Sequence, residues 1–270
     1  MSPFFVVIIV ASAVAVFCWV ASVISHDHSW VDRLWSIVPV VYVWIFAGAA
    51  GLADARLDVM AGLVTLWGAR LTYNFARKGG YSGVEDYRWA ILRGRMGRTQ
   101  YALFNIFFIV LYQNALLVLI TLPALTAFEH RGTELTILDF VVALVFLLLL
   151  AGETTADQQQ WDFQTWKSAE IAAGREPSPR FLQTGLWKYS RHPNFFFEQA
   201  QWWALFFFGA IAAGSVLQWT VAGAALLTVL FVGSTRFTED ITRSKYPEYA
   251  RYQARTSATV PFPRRRAVVQ

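Results

Sequence analysis

FFVVIIVASAVAVFCWVASVI, residues 4 to 24, carries no charge and neither proline nor glycine. A helix needs roughly 20 apolar residues to cross the hydrocarbon core of a bilayer, so this stretch reads as a membrane span. Further apolar runs follow at residues 35–52, 59–75, 101–124, 137–156, 195–213 and 216–234. With 56% hydrophobic and 15% charged residues, the chain is too apolar for an ordinary water-soluble domain, where charged residues approach about a quarter. The pattern predicts an all-α fold, a polytopic membrane bundle of about seven transmembrane helices forming a single integral membrane domain over residues 1–270. The first run has no basic leader and no small-residue cleavage site, which makes it a span rather than a signal peptide.

The basic residues decide orientation. With the N-terminus outside and the C-terminus cytoplasmic, every Lys and Arg except Arg56, Arg131 and the intramembrane Arg70 falls on the cytoplasmic side, as the positive-inside rule requires. The net charge of +5 is thereby a matter of topology, and no nucleic-acid partner is expected. The partner is the lipid bilayer. Residues 81–98, where Tyr87, Ala90 and Ile91 alternate with arginines, and residues 237–256, with Tyr246, Tyr249 and Tyr252 at spacing three in an interfacial or packed stripe, predict cytoplasmic interfacial helices. Cys18 is the single cysteine, so neither an internal disulfide nor a cysteine metal cluster is possible.

Ionisable groups within spans are costly and by default face a protein interior or a watery cavity. Arg70, Asn74 and Arg77 recur at spacings of four and three on one face of the third run. Glu153 and Asp157 stand one turn apart on the fifth run, followed by Gln160. Asn194 and Glu198 share a face of the sixth run just after Arg191 and His192, and Glu239 with Asp240 follows the seventh. Together they predict a chamber open to the cytoplasm. The bland reading is a set of helix ends pairing with headgroups or with one another, but snorkelling ends favour Lys and Arg over stacked carboxylates. Pro193 suits the first turn of a helix, which puts Ser190, Arg191 and His192 at its start, where backbone N–H groups favour an anion such as a cofactor phosphate. His26 and His28, with Asp27 and Asp32, read as solvated loop residues, and no metal is expected.

GLWKYSRHPNFFFE at 185–198, the upstream Glu153 and Asp157 with Gln158 and Phe163, and the ending at 249–263 resemble the steroid 5-alpha-reductase-like superfamily, particularly its bacterial members of unknown function called DUF1295 proteins. The resemblance implies a seven-helix bundle in a bacterial inner membrane, binding NADPH in a cytoplasmic cavity and taking a hydrophobic small-molecule substrate from the bilayer. The cofactor-binding part would cover about residues 150–263. Carried over by motif, Arg70, Asn74 and Arg77 are third-helix cofactor contacts, and Glu153, Asp157, Arg180, Tyr189, Arg191, His192, Asn194 and Glu198 form the C-terminal cofactor set. The implied chemistry is hydride delivery to an activated C=C bond with a protein acid supplying the proton. The steroid enzymes grip a ketone with a Gln-Glu pair on the second helix and a tyrosine on the third; here the second run has no carboxylate and Trp67 stands at the third-helix position. Phe195 and Phe197 stand where many relatives have Tyr and Gly. A 3-oxo-steroid is therefore not the expected substrate, and Asp32, Tyr73 and Tyr87 are the catalytic candidates for the proton. Two other functions fit the same motifs: an S-adenosylmethionine-dependent methyltransferase of a lipid or prenyl thiol, with Glu239 and Asp240 at the donor, and a non-catalytic lipid-binding scaffold.

Overall fold

The computed structural model describes residues 1–263. In order come α1 (Pro3–Ser25), α2 (Trp30–Leu34), α3 (Val38–Ala49), α4 (Ala55–Arg77), α5 (Tyr87–Arg95), α6 (Arg98–Phe104), a π-helical segment (Asn105–Tyr112), α7 (Gln113–Thr121), α8 (Pro123–Glu129), α9 (Ile137–Ala172), α10 (Pro193–Ala212), α11 (Val221–Lys245) and α12 (Tyr249–Arg255). No strand occurs among the described residues, and the only β-type pairing among them is an isolated bridge between Ser190 and Ser257.

Among the described residues four helices are long and apolar enough to cross a membrane: α1, the continuous helix Arg98–Thr121, α9 and α11. The chain is an integral membrane protein of the helical class. Two expected spans, α4 with 23 residues and α10 with 20, have the length but not the apolar window. Their polarity is the reason: α4 carries Arg56, Asp58, Arg70, Asn74 and Arg77, and α10 carries Asn194, Glu198, Gln199 and Gln201. The expected second span shortens to α3, whose 12 residues rise only ~18 Å. Pro39 opens it, and Gly51 and Leu52, both at positive φ, end it. Conversely, the fifth run continues through polar residues to Ala172, giving α9 36 residues and a length of ~54 Å, far beyond one bilayer crossing.

The described residues group into two compact units, Met1–Leu144 with Trp203–Leu226, and Val145–Trp202 with residues 227–263. In the first unit, Ser2 caps α1 by accepting from the Phe5 N–H at 3.3 Å, and Asp54 caps α4 through the Leu57 N–H at 3.0 Å. Tyr42 and Phe46 of α3, and Leu57, Met60, Val64 and Trp67 of α4, are fully buried. α3 and α4 pack closely, and a side chain at Gly68 would meet the Ser36 carbonyl. Arg56, one of the two basic residues expected outside, is buried and forks onto Asp139 at 2.7 and 2.9 Å. A neutralised arginine of this kind does not violate the charge rule. Phe5, Ile9, Val16, Val23 and Ile24 on the opposite side of α1 remain exposed to the bilayer.

In the second unit, the segment after α12 runs beside the residues that precede α10. The N–H groups of Arg191 and His192 donate to the carbonyls of Ser257 and Ala258 at 2.9 and 3.0 Å, and the Phe262 N–H donates to the Tyr189 carbonyl at 3.0 Å. The expected interfacial helix at 237–256 is instead the end of α11 followed by α12, interrupted at Pro247. Tyr249 and Tyr252 are buried against the Phe181 ring, so of the two readings of the tyrosine stripe these residues follow the packed one. Gly185 adopts φ 58° and lies against the Gln159 side chain, whose Oε1 accepts from the Leu186 N–H at 2.9 Å.

Candidate functional site

Two polar centres stand out in the second unit. One is built on Arg191. Its guanidinium forks onto Glu239 (Nε to Oε1 2.6 Å, Nη2 to Oε2 2.9 Å) and donates from Nη1 to the carbonyls of Gln253, at 3.0 Å, and Thr256. Glu239 also meets His192 Nε2 at 3.1 Å, accepts from Tyr249 Oη at 3.3 Å and accepts from Gln253 Nε2 at 2.9 Å. Burial together with the Glu239 carboxylate pushes the Tyr249 phenol above its ordinary value, while the opposing Arg191 charge moderates the shift. Proline at the start of α10 places Arg191 and His192 where they reach α11 and α12. At this helix entry the backbone N–H groups of Arg191 and His192 donate to the Ser257 and Ala258 carbonyls. Beside this centre lies a cavity of about 600 Å³ whose lining includes Arg191, Gln253, Arg255, Thr256, Ser257 and Phe262.

The other centre is a seam between α9 and α10. Across it Gln201 donates from Nε2 to Glu153 Oε2 at 2.7 Å and Asn194 Nδ2 reaches Asp157 Oδ1 at 3.5 Å; within α10, Trp202 Nε1 donates to Glu198 Oε1 at 3.1 Å. Glu153, Asp157, Glu198 and Gln201 are all buried. The amide oxygens of Gln160, Asn194 and Gln201 are buried without a hydrogen-bond partner. Such acceptors cost about 1–3 kcal/mol each unless something donates to them.

Of the remaining sequence-expected cofactor residues, Arg180 is half-exposed between Glu176 and Glu248, and Tyr189 is 42% exposed. Arg70, Asn74 and Arg77 sit on α4 in the first unit, where Asn74 is buried and its Oδ1 accepts from Arg77 Nε and Nη2 at 2.9 and 2.8 Å. The proton-donor candidates differ sharply. Tyr73 and Tyr87 are 66% and 52% exposed. Asp32 accepts from Trp89 Nε1 at 2.8 Å, and burial holds its carboxyl above the ordinary range despite the nearby Arg88. Its loop neighbours take separate partners, Asp27 pairing with Arg33 at 2.5 Å and His28 with Glu85 at 3.1 Å. Among the described residues no group of three His, Cys, Asp or Glu side chains gathers as metal ligands would.

A family described as "Protein of unknown function (DUF1295)" matches residues 18–256, which include both polar centres and α4. The chain belongs to the DUF1295 family. It is also similar to an uncharacterised protein of Schizosaccharomyces pombe, 38% identical over 278 residues that cover 96% of this chain and 80% of that protein. The similarity thus extends to a fungal protein. No solved structure matches the chain.

Several residues of this DUF1295 protein's centres escaped the sequence reading. Gln201 continues the face of Asn194 and Glu198 at a spacing of three, a signal that was present but not followed past Glu198. Glu239 was legible as a chamber residue and, in the methyltransferase reading, as part of the donor site, but not as the partner of Arg191. Gln253 and the Thr256 carbonyl could not be found from spacing, because the chain brings them to Arg191 from more than sixty residues away.

Proposed function

We propose that this protein is an NADPH-dependent membrane reductase that saturates a C=C bond in a hydrophobic lipid or isoprenoid-like substrate. The observation that carries this reading is the row of orphaned amide oxygens at Gln160, Asn194 and Gln201 beside the buried carboxylates of α9 and α10. Acceptors of that kind suit the hydroxyl and carboxamide N–H donors of a nucleotide. The half-exposed Arg180 and the cavity containing Arg255 and Ser257 suit its phosphates. When bound, the nicotinamide supplies hydride. Arg191 and His192 act as struts, fixing the segment 256–262 rather than touching the cofactor directly, since their donors are committed to Glu239 and the chain. Reduction adds a hydride to one carbon of the double bond and a proton, from a protein acid, to the other. In the same reading the chain crosses the bilayer seven times, with α4 and α10 as polar-lined spans, the N-terminus outside and the C-terminus cytoplasmic.

A methyltransferase would need Glu239 for its donor, yet both Glu239 oxygens are already filled by Arg191, His192, Tyr249 and Gln253. Incubation of the purified protein with a membrane lipid extract tests the choice. Consumption of NADPH with a product heavier by one pair of hydrogens supports the reductase. Conversion of S-adenosylmethionine to S-adenosylhomocysteine, with NADPH untouched, overturns it.

A further inference from the structure

The first unit carries an apolar groove that the cofactor chemistry does not use. It is a cavity of about 800 Å³ along one side of α1, and its lining includes Ser12, Ala13, Val20 and Ile24 of that helix and Trp30 of α2. Val16, Val20 and Ile24, all in the lining, are 60%, 41% and 76% exposed, so the groove is open along its length. Because α1 is long and apolar enough to cross a membrane, what it opens to is the hydrocarbon of the bilayer. Trp30 is fixed in place. Its Nε1 donates to Ser25 Oγ at 2.9 Å, its ring meets the Phe17 ring edge-on at 5.6 Å, and the Arg33 guanidinium lies over it at 4.8 Å.

Length, lining and the groove's polar end together say what fills it. From Ser12 to Ile24 the lining follows ~18 Å of helix rise, close to one leaflet, half of a ~30 Å hydrocarbon core. A second copy of α1 would use all 23 residues of the helix, yet Phe4, Phe5, Ile8 and Ile9 stand exposed beyond the groove. Apart from the Ser12 and Ser25 hydroxyls the lining is apolar, which suits an extended hydrocarbon chain and no polar ligand. Trp30, apolar in its ring and hydrogen-bonded at Nε1, has the form of a residue at the membrane boundary. Just past it, Arg93 donates from Nη1 to the His26 carbonyl at 3.3 Å and pairs with Glu85, its side chain still 39% exposed. Two of its five N–H donors are so engaged among the described residues, which leaves donors for a phosphate oxygen. Arg33, over the Trp30 ring, is already held by Asp27 at 2.5 Å.

We infer that the α1 groove binds one phospholipid of the adjoining leaflet, with an acyl chain lying against α1 between Ser12 and Ile24 and the phosphate at Arg93. Trp30 stands between the two parts, its ring against the chain and its N–H at the polar end. The site goes beyond the reductase reading and takes its lipid whether or not a nucleotide is bound.

Native mass spectrometry of the full chain, stripped of lipid in detergent and then given dioleoyl phosphatidylglycerol without NADPH, tests it. The natural protein should keep one such lipid per chain. The Ala13→Phe/Val20→Phe double variant fills the groove from exposed positions, so it should keep at least tenfold less with an unchanged melting temperature. Val41→Phe, at an exposed position of α3, is the matched control and should bind as the natural chain does. Arg93→Gln should hold phosphatidylglycerol at least tenfold less, the value of one charge-assisted hydrogen bond. It should hold dioleoylglycerol, which has the chains without the phosphate, as well as the natural protein does. Equal retention of phosphatidylglycerol by the folded filled variant, or by Arg93→Gln, overturns the inference. So does a dimer of the natural chain that the filled variant breaks, since a second copy would then occupy the groove. Retained lipid with no NADPH turnover would remove the reductase and leave this site standing.

Discussion

Arg191 is the residue on which the second unit's C-terminal segment depends. It satisfies two carboxylate oxygens and two carbonyls at once, a task for a planar fork that lysine's single ammonium does not perform. Arg191→Ala leaves a buried Glu239 with one cation fewer, and breaking such a pair costs about 3–5 kcal/mol. The expected result is a lower melting temperature and faster amide exchange at 253–262, read by mass spectrometry, with Arg191→Lys recovering little. Asp32 carries the opposite lesson. Its folded carboxyl holds a proton to higher pH than the unfolded chain does, so its stabilising contribution is complete below the unfolded value near about 3.9 and is lost as pH rises through the folded one. Asp32→Asn, which keeps an acceptor for the Trp89 N–H, should therefore melt higher than the natural protein at neutral pH. Melting curves taken at falling pH should show that advantage shrinking, and a constant gap would contradict the assignment.

At the scale of helices, close approach is set by a few small residues. A Cβ at Gly223 of α11 would run into the Leu119 carbonyl of α7, whereas one at Gly233 meets nothing within 4 Å. Gly223→Ala should destabilise the protein in thermal unfolding, while Gly233→Ala should be neutral or gain up to about 1 kcal/mol from helix propensity. Helix existence was legible wherever the apolar runs were long, because burial in lipid requires no partner. Their limits were not: α9 runs past its apolar half, α3 is cut short by Pro39 and the Gly51–Leu52 turn, and the π-helical winding at 105–112 has no local signature. α4 and α10 are harder to read as spans because the residues that make them interesting also lower their hydropathy.

Across the whole molecule, the site was legible as a list and not as a wiring diagram. Spacing placed Glu153, Asp157, Asn194 and Glu198 on matching faces; α9 and α10 bring Asn194 to Asp157 and Gln201 to Glu153, while Glu198 bonds Trp202 of its own helix. Spacing could not show that Arg191 and His192 face Glu239 and the chain end, since that contact depends on where distant segments settle. The central claim, a nucleotide held by the chain's amide and carboxylate groups, is tested most directly by melting the purified protein with NADPH and, separately, with S-adenosylmethionine. A ligand that binds the folded state at a hundred times its Kd stabilises by about 2.7 kcal/mol, a rise of several degrees. The account predicts that rise with NADPH and none with S-adenosylmethionine; a rise with the methyl donor alone, or with neither, would contradict it.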